Sequence, residues 1–203
     1  MLFRSTDTNN AFDVFQYDGN NDTSKLISHT ANSNSTAAST GGSPGSRFVS
    51  TSADGSTVAY TGFFSDIVAS QSDSNQAADT FVWNRTNNTN ALITRQAGTT
   101  ATTSNQQSFT SGYTPVVSDD GSTVIIQTDA RNLVTGQSNP NFKLNVFHYN
   151  VGTGAIQQLS HTTTSATTSG DDSSFYPFVS SDGTLVIFAS AATNLVKIGR
   201  AHV

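Results

Sequence analysis

A repeat of about 66 residues constrains the fold of this chain more than any other feature. Asp-Gly pairs begin at Asp54, Asp120 and Asp182, at steps of 66 and 62 residues. Two further phrases keep the same register: DVFQY, DTFVW and NVFHY begin at positions 13, 79 and 145, and LIS, LIT and QLS begin at positions 26, 92 and 158. Three independent phrases in one register indicate that a structural unit has been duplicated along the chain.

The residues of each repeat predict two β-hairpins. An Asp-Gly pair tolerates the positive φ that tight hairpin turns require, and in residues 113–128 it lies between two runs rich in β-forming residues. Residues 144–160 give two more runs with the alternation typical of strands. No stretch carries the apolar stripe of a substantial helix. We therefore predict an all-β fold of β-propeller-type blades with four antiparallel strands each. An all-β sandwich or a linear β-array is the alternative, because it would use the same hairpins.

Two of these phrases also carry a resemblance to a known family. A hairpin with the pattern Pro-x-x-Ser-x-Asp-Gly, followed by an Asn-Val-Phe-x-Tyr strand and a Thr-Gly turn, resembles the TolB-like, WD-repeat-like β-propeller repeat of bacterial proteins. The residues that match are Pro115, Ser118, Asp120, Gly121, Asn145, Val146, Phe147 and Tyr149, with Pro177, Ser180, Asp182 and Gly183 repeating the first half. The second copy departs from the pattern at Phe48, Val49 and Thr80. The resemblance implies a propeller fold, and a propeller supports many different activities.

The repeat divides the chain into three units, which we predict to be residues 2–67, 68–133 and 134–197. Closed propellers have roughly 4–8 blades, so three units are expected to form an incomplete propeller and to be a fragment of a larger protein. The last six residues, IGRAHV, match no earlier copy and coincide with the translation of a common sequencing-library adapter. We expect residues 198–203 to be an adapter-derived or disordered tail.

Composition excludes several classes of function. Only nine residues are Lys or Arg, without a basic cluster, and the net charge is -5, so the chain lacks the electrostatic footprint of a nucleic-acid-binding protein. It has no cysteine, which excludes disulfides, zinc-cysteine sites and thiol nucleophiles. No apolar run approaches the roughly 18 residues needed to span a bilayer, so we predict no membrane span in this chain.

One repeated loop has the residue types of a calcium site. It contains Asp-x-Asn-x-x-x-Asp in its first two copies, which places three oxygen ligands in a tight turn and suits a hard cation. The candidate ligands are Asp7, Asn9, Asp13, Asp73, Asn75 and Asp79. The alternative is that these side chains cap the turn by accepting hydrogen bonds from backbone amides. The third copy, residues 139–145, has lost its carboxylates, so the first two copies should bind calcium better. We predict no other cofactor.

Other candidate sites have less support. Ser43 lies in a Gly-x-Ser-x-Gly sequence, but the strand and helix that a nucleophile elbow needs are absent from the predicted structure. Tyr17, Trp83 and Tyr149 share one position of the repeat, where an aromatic ladder could bind sugars or pack between blades. We identify no catalytic residue.

The leading hypothesis for function is a non-catalytic β-propeller scaffold that binds a protein or a polysaccharide. The polar, lysine-poor composition and the family resemblance favour a piece of a larger exported or surface bacterial protein, located in the periplasm, on the cell surface or outside the cell. The alternative is the propeller domain of a hydrolase whose catalytic residues lie outside this chain. A purely structural repeat array is a third possibility.

Overall fold

The computed structural model describes residues 9–40, 45–106 and 114–196, and these residues form strands and loops without a helix. The strands are β1 (Phe15–Asp18), β2 (Thr23–Leu26), β3 (Ser46–Thr51), β4 (Thr57–Gly62), β5 (Asp79–Asn84), β6 (Thr89–Leu92), β7 (Val116–Val117), β8 (Thr123–Thr128), β9 (Asn145–Asn150), β10 (Ile156–Gln158), β11 (His161–Thr162), β12 (Ser165–Ser169), β13 (Ser174–Val179) and β14 (Val186–Ser190). The predicted all-β fold is confirmed.

The strands form two complete four-stranded antiparallel sheets, which we call the first blade (β3-β4-β5-β6) and the second blade (β7-β8-β9-β10). The N-terminal hairpin (β1-β2) corresponds by the repeat to the last two strands of a blade, and the C-terminal hairpin (β13-β14) to the first two. A short β11-β12 pair lies in a connecting loop. Each complete blade therefore takes its first hairpin from one sequence unit and its second from the next. Among the described residues the sheets do not close into a ring.

The register between the two middle strands is the same in both blades. Thr57 pairs with Asn84 at one end of the β4-β5 ladder, and Thr123 pairs with Asn150 at the same place in the β8-β9 ladder. The paired residues of the second blade are each 66 positions beyond those of the first. Because a shift of one residue would move every side chain to the other face, this agreement fixes which residues are buried in both blades.

The Asp-Gly turns take one conformation in all three copies. In the second copy, Ser118 Oγ donates to Asp120 Oδ1 (2.6 Å), which also accepts from the backbone N–H of Ser122 (2.9 Å). Ser118 Oγ in turn accepts from the N–H of Thr123 (3.1 Å), and Gly121 has a φ of +73°. The first and third copies repeat these bonds. The hydrogen bonds stabilise the charged carboxylate, so the pKa of Asp120 is lowered.

The turns also stack on one another from blade to blade. Thr57 Oγ1 donates to the carbonyl of Gly121 (3.1 Å), and the N–H of Ala53 donates to the carbonyl of Asp119 (3.0 Å). The first strands β3, β7 and β13 contact each other in that order. The blades are therefore arranged side by side with their first strands next to one another, as the inner strands of propeller blades are arranged around the axis.

The core consists of two clusters between neighbouring sheets. One lies around Tyr60 and Phe81, whose rings stack at 5.6 Å between centroids, and extends to Val14 and Ile27 from the segments that flank the N-terminal hairpin. The other lies between the first and second blades and includes Ala59 and Val124. No helix capable of crossing a membrane occurs in the part of the chain that the structure describes.

Candidate functional site

The loop of the second copy uses its candidate calcium ligands to hold its own backbone. Asp73 Oδ1 accepts from the N–H groups of Asn75 (3.2 Å) and Gln76 (2.8 Å), and Asn75 Oδ1 accepts from the N–H of Ala77 (2.9 Å). The amide of Asn75 donates across the loop to the carbonyl of Ser104 (2.8 Å). These contacts form the turn-capping arrangement that is the alternative to a metal site.

The first and third copies repeat parts of this pattern. Asp7 lies outside the described residues. Asn9 Oδ1 accepts from the N–H of Ala11 (2.8 Å), and its amide donates to the carbonyl of Ala38 (2.7 Å). In the third copy, Asn139 Oδ1 accepts from the N–H of Lys143 (3.0 Å). In all three loops, side-chain oxygens therefore accept hydrogen bonds from the loop's own backbone, whether or not the loop carries carboxylates.

The last residue of each loop lies at the start of the strand that follows, or two residues before it in the case of Asp13, and accepts a hydrogen bond from a hydroxyl two residues beyond the next strand. Thr94 Oγ1 donates to Asp79 Oδ1 (2.9 Å) and accepts from the N–H of Thr80 (3.0 Å). Ser28 makes the same two contacts with Asp13 and Val14, and Ser160 makes them with Asn145 and Val146. These hydroxyl partners were not predicted from the sequence, although each is the last residue of the repeated phrase LIS, LIT or QLS.

Asp79 has a strongly perturbed carboxyl group. Its side chain is fully buried, and Oδ2 has no hydrogen-bond partner there. Burial raises the pKa of Asp79 to about 8, with a smaller increase from the charge of Asp73 opposed by the hydrogen bond from Thr94. A carboxyl group in this state is protonated at neutral pH. Its equivalent, Asn145, is a neutral side chain of the same shape, and its amide donates to the carbonyl of Lys143 (2.8 Å).

The calcium assignment remains a prediction after these observations. Among the described residues, no group of three or more His, Cys, Asp or Glu side chains is arranged to hold a metal ion. The six candidates also include the amide oxygens of Asn9 and Asn75, and a direct calcium titration of the protein tests them. The geometry supports turn capping as the role of Asp73, Asn75 and Asn9.

A second candidate site is a cavity of about 470 Å³ between the N-terminal hairpin and the first blade. Its polar lining includes Gln16, Asp18 and Arg85, and the guanidinium of Arg85 lies 3.6 Å from the Asp18 carboxylate. Tyr17 and Val49 add apolar surface. Between the first and second blades, Ala59 of β4 packs with Val82, Val117 and Val124 in one buried cluster. Among the described residues the N-terminal hairpin has no strand equivalent to β4, which leaves the cavity beside it open.

The remaining sequence candidates are not brought together. Ser43 lies outside the described residues. Trp83 and Tyr149 are buried in the two core clusters, whereas Tyr17 is exposed, so the shared aromatic position does not form a continuous ladder on the surface. Apart from these candidates, His148 Nε2 lies 3.3 Å from Thr123 Oγ1, and burial lowers the pKa of His148.

The fold is similar to the crystal structure of TolB from Acinetobacter baumannii, with a TM-score of 0.42 and 12% sequence identity. The matched region covers 89% of this chain and 32% of that one, so this chain spans about a third of the length of that protein. A similarity at this level carries no statement about activity, ligand or partner. No family model matches the chain, and a comparison with curated proteins finds no match.

Proposed function

We propose that this protein is a non-catalytic scaffold of propeller-type blades that binds a protein partner through the open edges of its two half blades. The half blades are the N-terminal hairpin (β1-β2) and the C-terminal hairpin (β13-β14). The open edges are strand β1 in the N-terminal hairpin and strand β14 in the C-terminal hairpin. Among the described residues, β1 pairs only with β2, and β14 pairs only with β13. An unpaired strand edge is a template for an added strand, with main-chain hydrogen bonds supplying affinity.

One contrast in burial carries this proposal. Phe81 and Phe147 are 0% exposed, whereas the equivalent Phe15 on β1 is 52% exposed. Likewise Ile125 is 0% exposed, whereas the equivalent Ile187 on β14 is 72% exposed. The apolar residue types persist in both terminal hairpins even though none of the described residues covers Phe15 or Ile187. Exposed apolar surface of this kind is characteristic of interaction sites.

The cavity beside the N-terminal hairpin favours a glycan as a second candidate ligand. An aromatic ring, a carboxylate, a guanidinium and an amide surround it, which is a set of groups suited to hydroxyl-rich molecules. Strands added to β1 would fill the same space, so the two ligands exclude each other. The propeller domain of a hydrolase remains the alternative from another class, and it predicts turnover only for a longer protein that supplies the catalytic residues.

The resemblance of the repeat to TolB-like proteins supports a bacterial origin and a place in the periplasm or at the cell surface. We include both in the proposal. Fractionation of cells that express the protein from its own gene would measure the location, and retention in the cytoplasm would contradict it.

Synthetic hairpins from the chain's own first blade provide the test of strand addition. A peptide of residues 46–62 contains β3 and β4 and should add to the open edge of β1, raising the melting temperature and protecting the amides of Phe15 and Tyr17 from hydrogen exchange. The matched control peptide carries Val58→Pro and Tyr60→Pro, which removes the two N–H groups that face β5. Binding of an oligosaccharide without binding of the hairpin would replace the proposal with the glycan candidate.

A further inference from the structure

We infer that the partner is a second copy of this chain, whose β14 pairs antiparallel with β1 to complete a four-stranded blade shared between two molecules. This inference rests on the proposed function, because it names the occupant of the open edges. The shared blade would have the order β13-β14 from one copy and β1-β2 from the other.

The two half blades are complementary halves of one repeated structure. The N-terminal hairpin aligns with β5-β6 and β9-β10, and the C-terminal hairpin aligns with β3-β4 and β7-β8. In both complete blades these halves join through the second and third strands. The missing neighbour of β1 is therefore a strand of the β14 type, and the missing neighbour of β14 is a strand of the β1 type.

The backbone groups on each open edge follow from the hydrogen bonds on the paired side. The carbonyl of Leu185 accepts from Ser180, so Leu185 faces β13, and the alternation of an antiparallel strand turns the N–H groups of Val186 and Phe188 toward the open edge. The carbonyl of Val14 accepts from Ile27, so Phe15 and Tyr17 face the open edge of β1.

The repeat also specifies the register. In the first blade Val58 pairs with Trp83 and Tyr60 with Phe81. The second blade has the same pairs at Val124 with Tyr149 and at Ile126 with Phe147. Applied to the open edges, this register places Val186 opposite Tyr17 of the second copy and Phe188 opposite Phe15. Both pairs join backbone groups that already face outward.

The added hairpin would continue an interface that the molecule already contains. Strand β13 contacts β7, β8 and β9 of the second blade, so the C-terminal hairpin is packed as the next blade of the row. In the cluster between the first and second blades, Ala59 of β4 packs with Val117 and Val124. The equivalent residue on β14 is Ile187. In the second copy it would enter the cavity beside Gln16, which is lined by the corresponding residues Thr51 and Val58.

Two copies joined in this way at both ends supply enough blades to close a ring. The described residues of each copy form two complete blades, and two shared blades would bring their total to six, within the range of roughly 4–8 blades found in closed propellers. The contact is head to tail, and such contacts form a closed ring when the rotation per copy permits it.

Disulfide trapping tests the register directly, because the chain has no cysteine of its own. Ile187 and Gln16 would face each other as a non-hydrogen-bonded pair with Cα atoms about 4.5 Å apart, which suits a disulfide. The double variant I187C/Q16C should form covalent dimers under mild oxidation. The matched control is I187C/Y17C. Tyr17 follows Gln16 on β1, so its side chain lies on the opposite face of the sheet from that of Ile187. Wild-type protein should sediment at twice the mass of one chain.

Each outcome separates this inference from the proposed function. A monomer at every concentration with no trapped dimer overturns the second copy, and if the hairpin peptide still binds, the proposed function stands. Trapping by I187C alone means that two β14 edges pair with each other, which also overturns the stated pairing. A ladder of products longer than two chains overturns closure by two copies. Circular dichroism of each variant checks that it is folded.

Discussion

At the residue that ends each repeated Asp/Asn loop, a carboxyl group and an amide have the same role. Asp13, Asp79 and Asn145 all accept a hydrogen bond from a hydroxyl that lies two residues after a strand end. The sequence pattern predicts calcium ligands at Asp13 and Asp79, and this stays a prediction. Burial could not be derived from the pattern, because it depends on strands and loops that are distant in the chain.

Replacing Asp79 with Asn should stabilise the protein at alkaline pH. The unfolded chain releases this proton near its ordinary pKa of 3.8, whereas the folded protein retains it up to a pKa of about 8. The folded state therefore binds more protons in this interval, and the free energy of unfolding decreases as the pH rises from about 4 to 8. Asp79→Asn should remove that slope and gain at least ~2 kcal/mol at pH 8, since one pKa unit corresponds to about 1.4 kcal/mol.

Urea unfolding at several pH values measures this effect. Asp54→Asn is the control, because hydrogen bonds led by that from the backbone amide of Ser56 lower the pKa of Asp54 to about 2. Its contribution is present above pH 4 and is lost as the pH decreases toward 2, the opposite direction. An Asp79→Asn protein that is less stable than wild type at pH 8 would contradict the assignment of a protonated carboxyl group.

The Asp79→Asn variant also tests the calcium hypothesis. If the second loop binds Ca²⁺, the ion should raise the melting temperature of the wild-type protein, and Asp79→Asn should reduce that increase because a ligand charge is lost. A melting temperature that is unchanged by millimolar Ca²⁺ and by its removal with a chelator would contradict calcium binding and leave turn capping as the role of the loop.

At the scale of the elements, the Ser-x-Asp-Gly turn is a local structure that its own residues specify. All three copies form the same side-chain bonds, and the predicted positive φ is present at Gly55, Gly121 and Gly183. The stacking of one turn on the next is different, since it joins Thr57 to Gly121 across 64 residues. No pattern within one repeat contains that contact.

Gly121→Ala should cost more stability than Gly136→Ala. Both glycines have φ close to +74°, so each substitution introduces backbone strain of roughly 1–2 kcal/mol. A Cβ at position 121 would also lie 2.7 Å from Thr57 Oγ1, whereas one at position 136 meets no atom within 4 Å. The overlap should add ~1–3 kcal/mol. Equal losses in the unfolding free energy would mean that the turn containing Gly121 does not contact Thr57 of the preceding turn.

For the whole molecule, equivalent residues of the repeat should differ in importance according to which blade is complete. Phe81→Ala removes a fully buried ring and should cost ~3–5 kcal/mol. Phe15→Ala removes a half-exposed ring and should cost less than about 1 kcal/mol in dilute protein. If two copies associate, the cost of Phe15→Ala should grow with protein concentration. Urea unfolding at two concentrations measures both values, and equal costs in dilute protein would show that the N-terminal hairpin is covered.

The repeat and its residue types were sufficient to predict the two hairpins of each repeat and the four-stranded blades, because hairpins form between residues that are close in the chain. The short β11-β12 pair was not predicted. They did not predict which copies of the repeat would be buried. Phe15 and Phe81 occupy the same place in the same phrase, yet one is half exposed and the other is enclosed. The difference arises from the neighbouring second strand of the blade. Strand β5 pairs with β4, whereas β1 has no such neighbour among the described residues. Whether the ring is buried depends on the adjacent strand. The adjacent strand is decided by the assembled sheet and not by the repeated sequence motif.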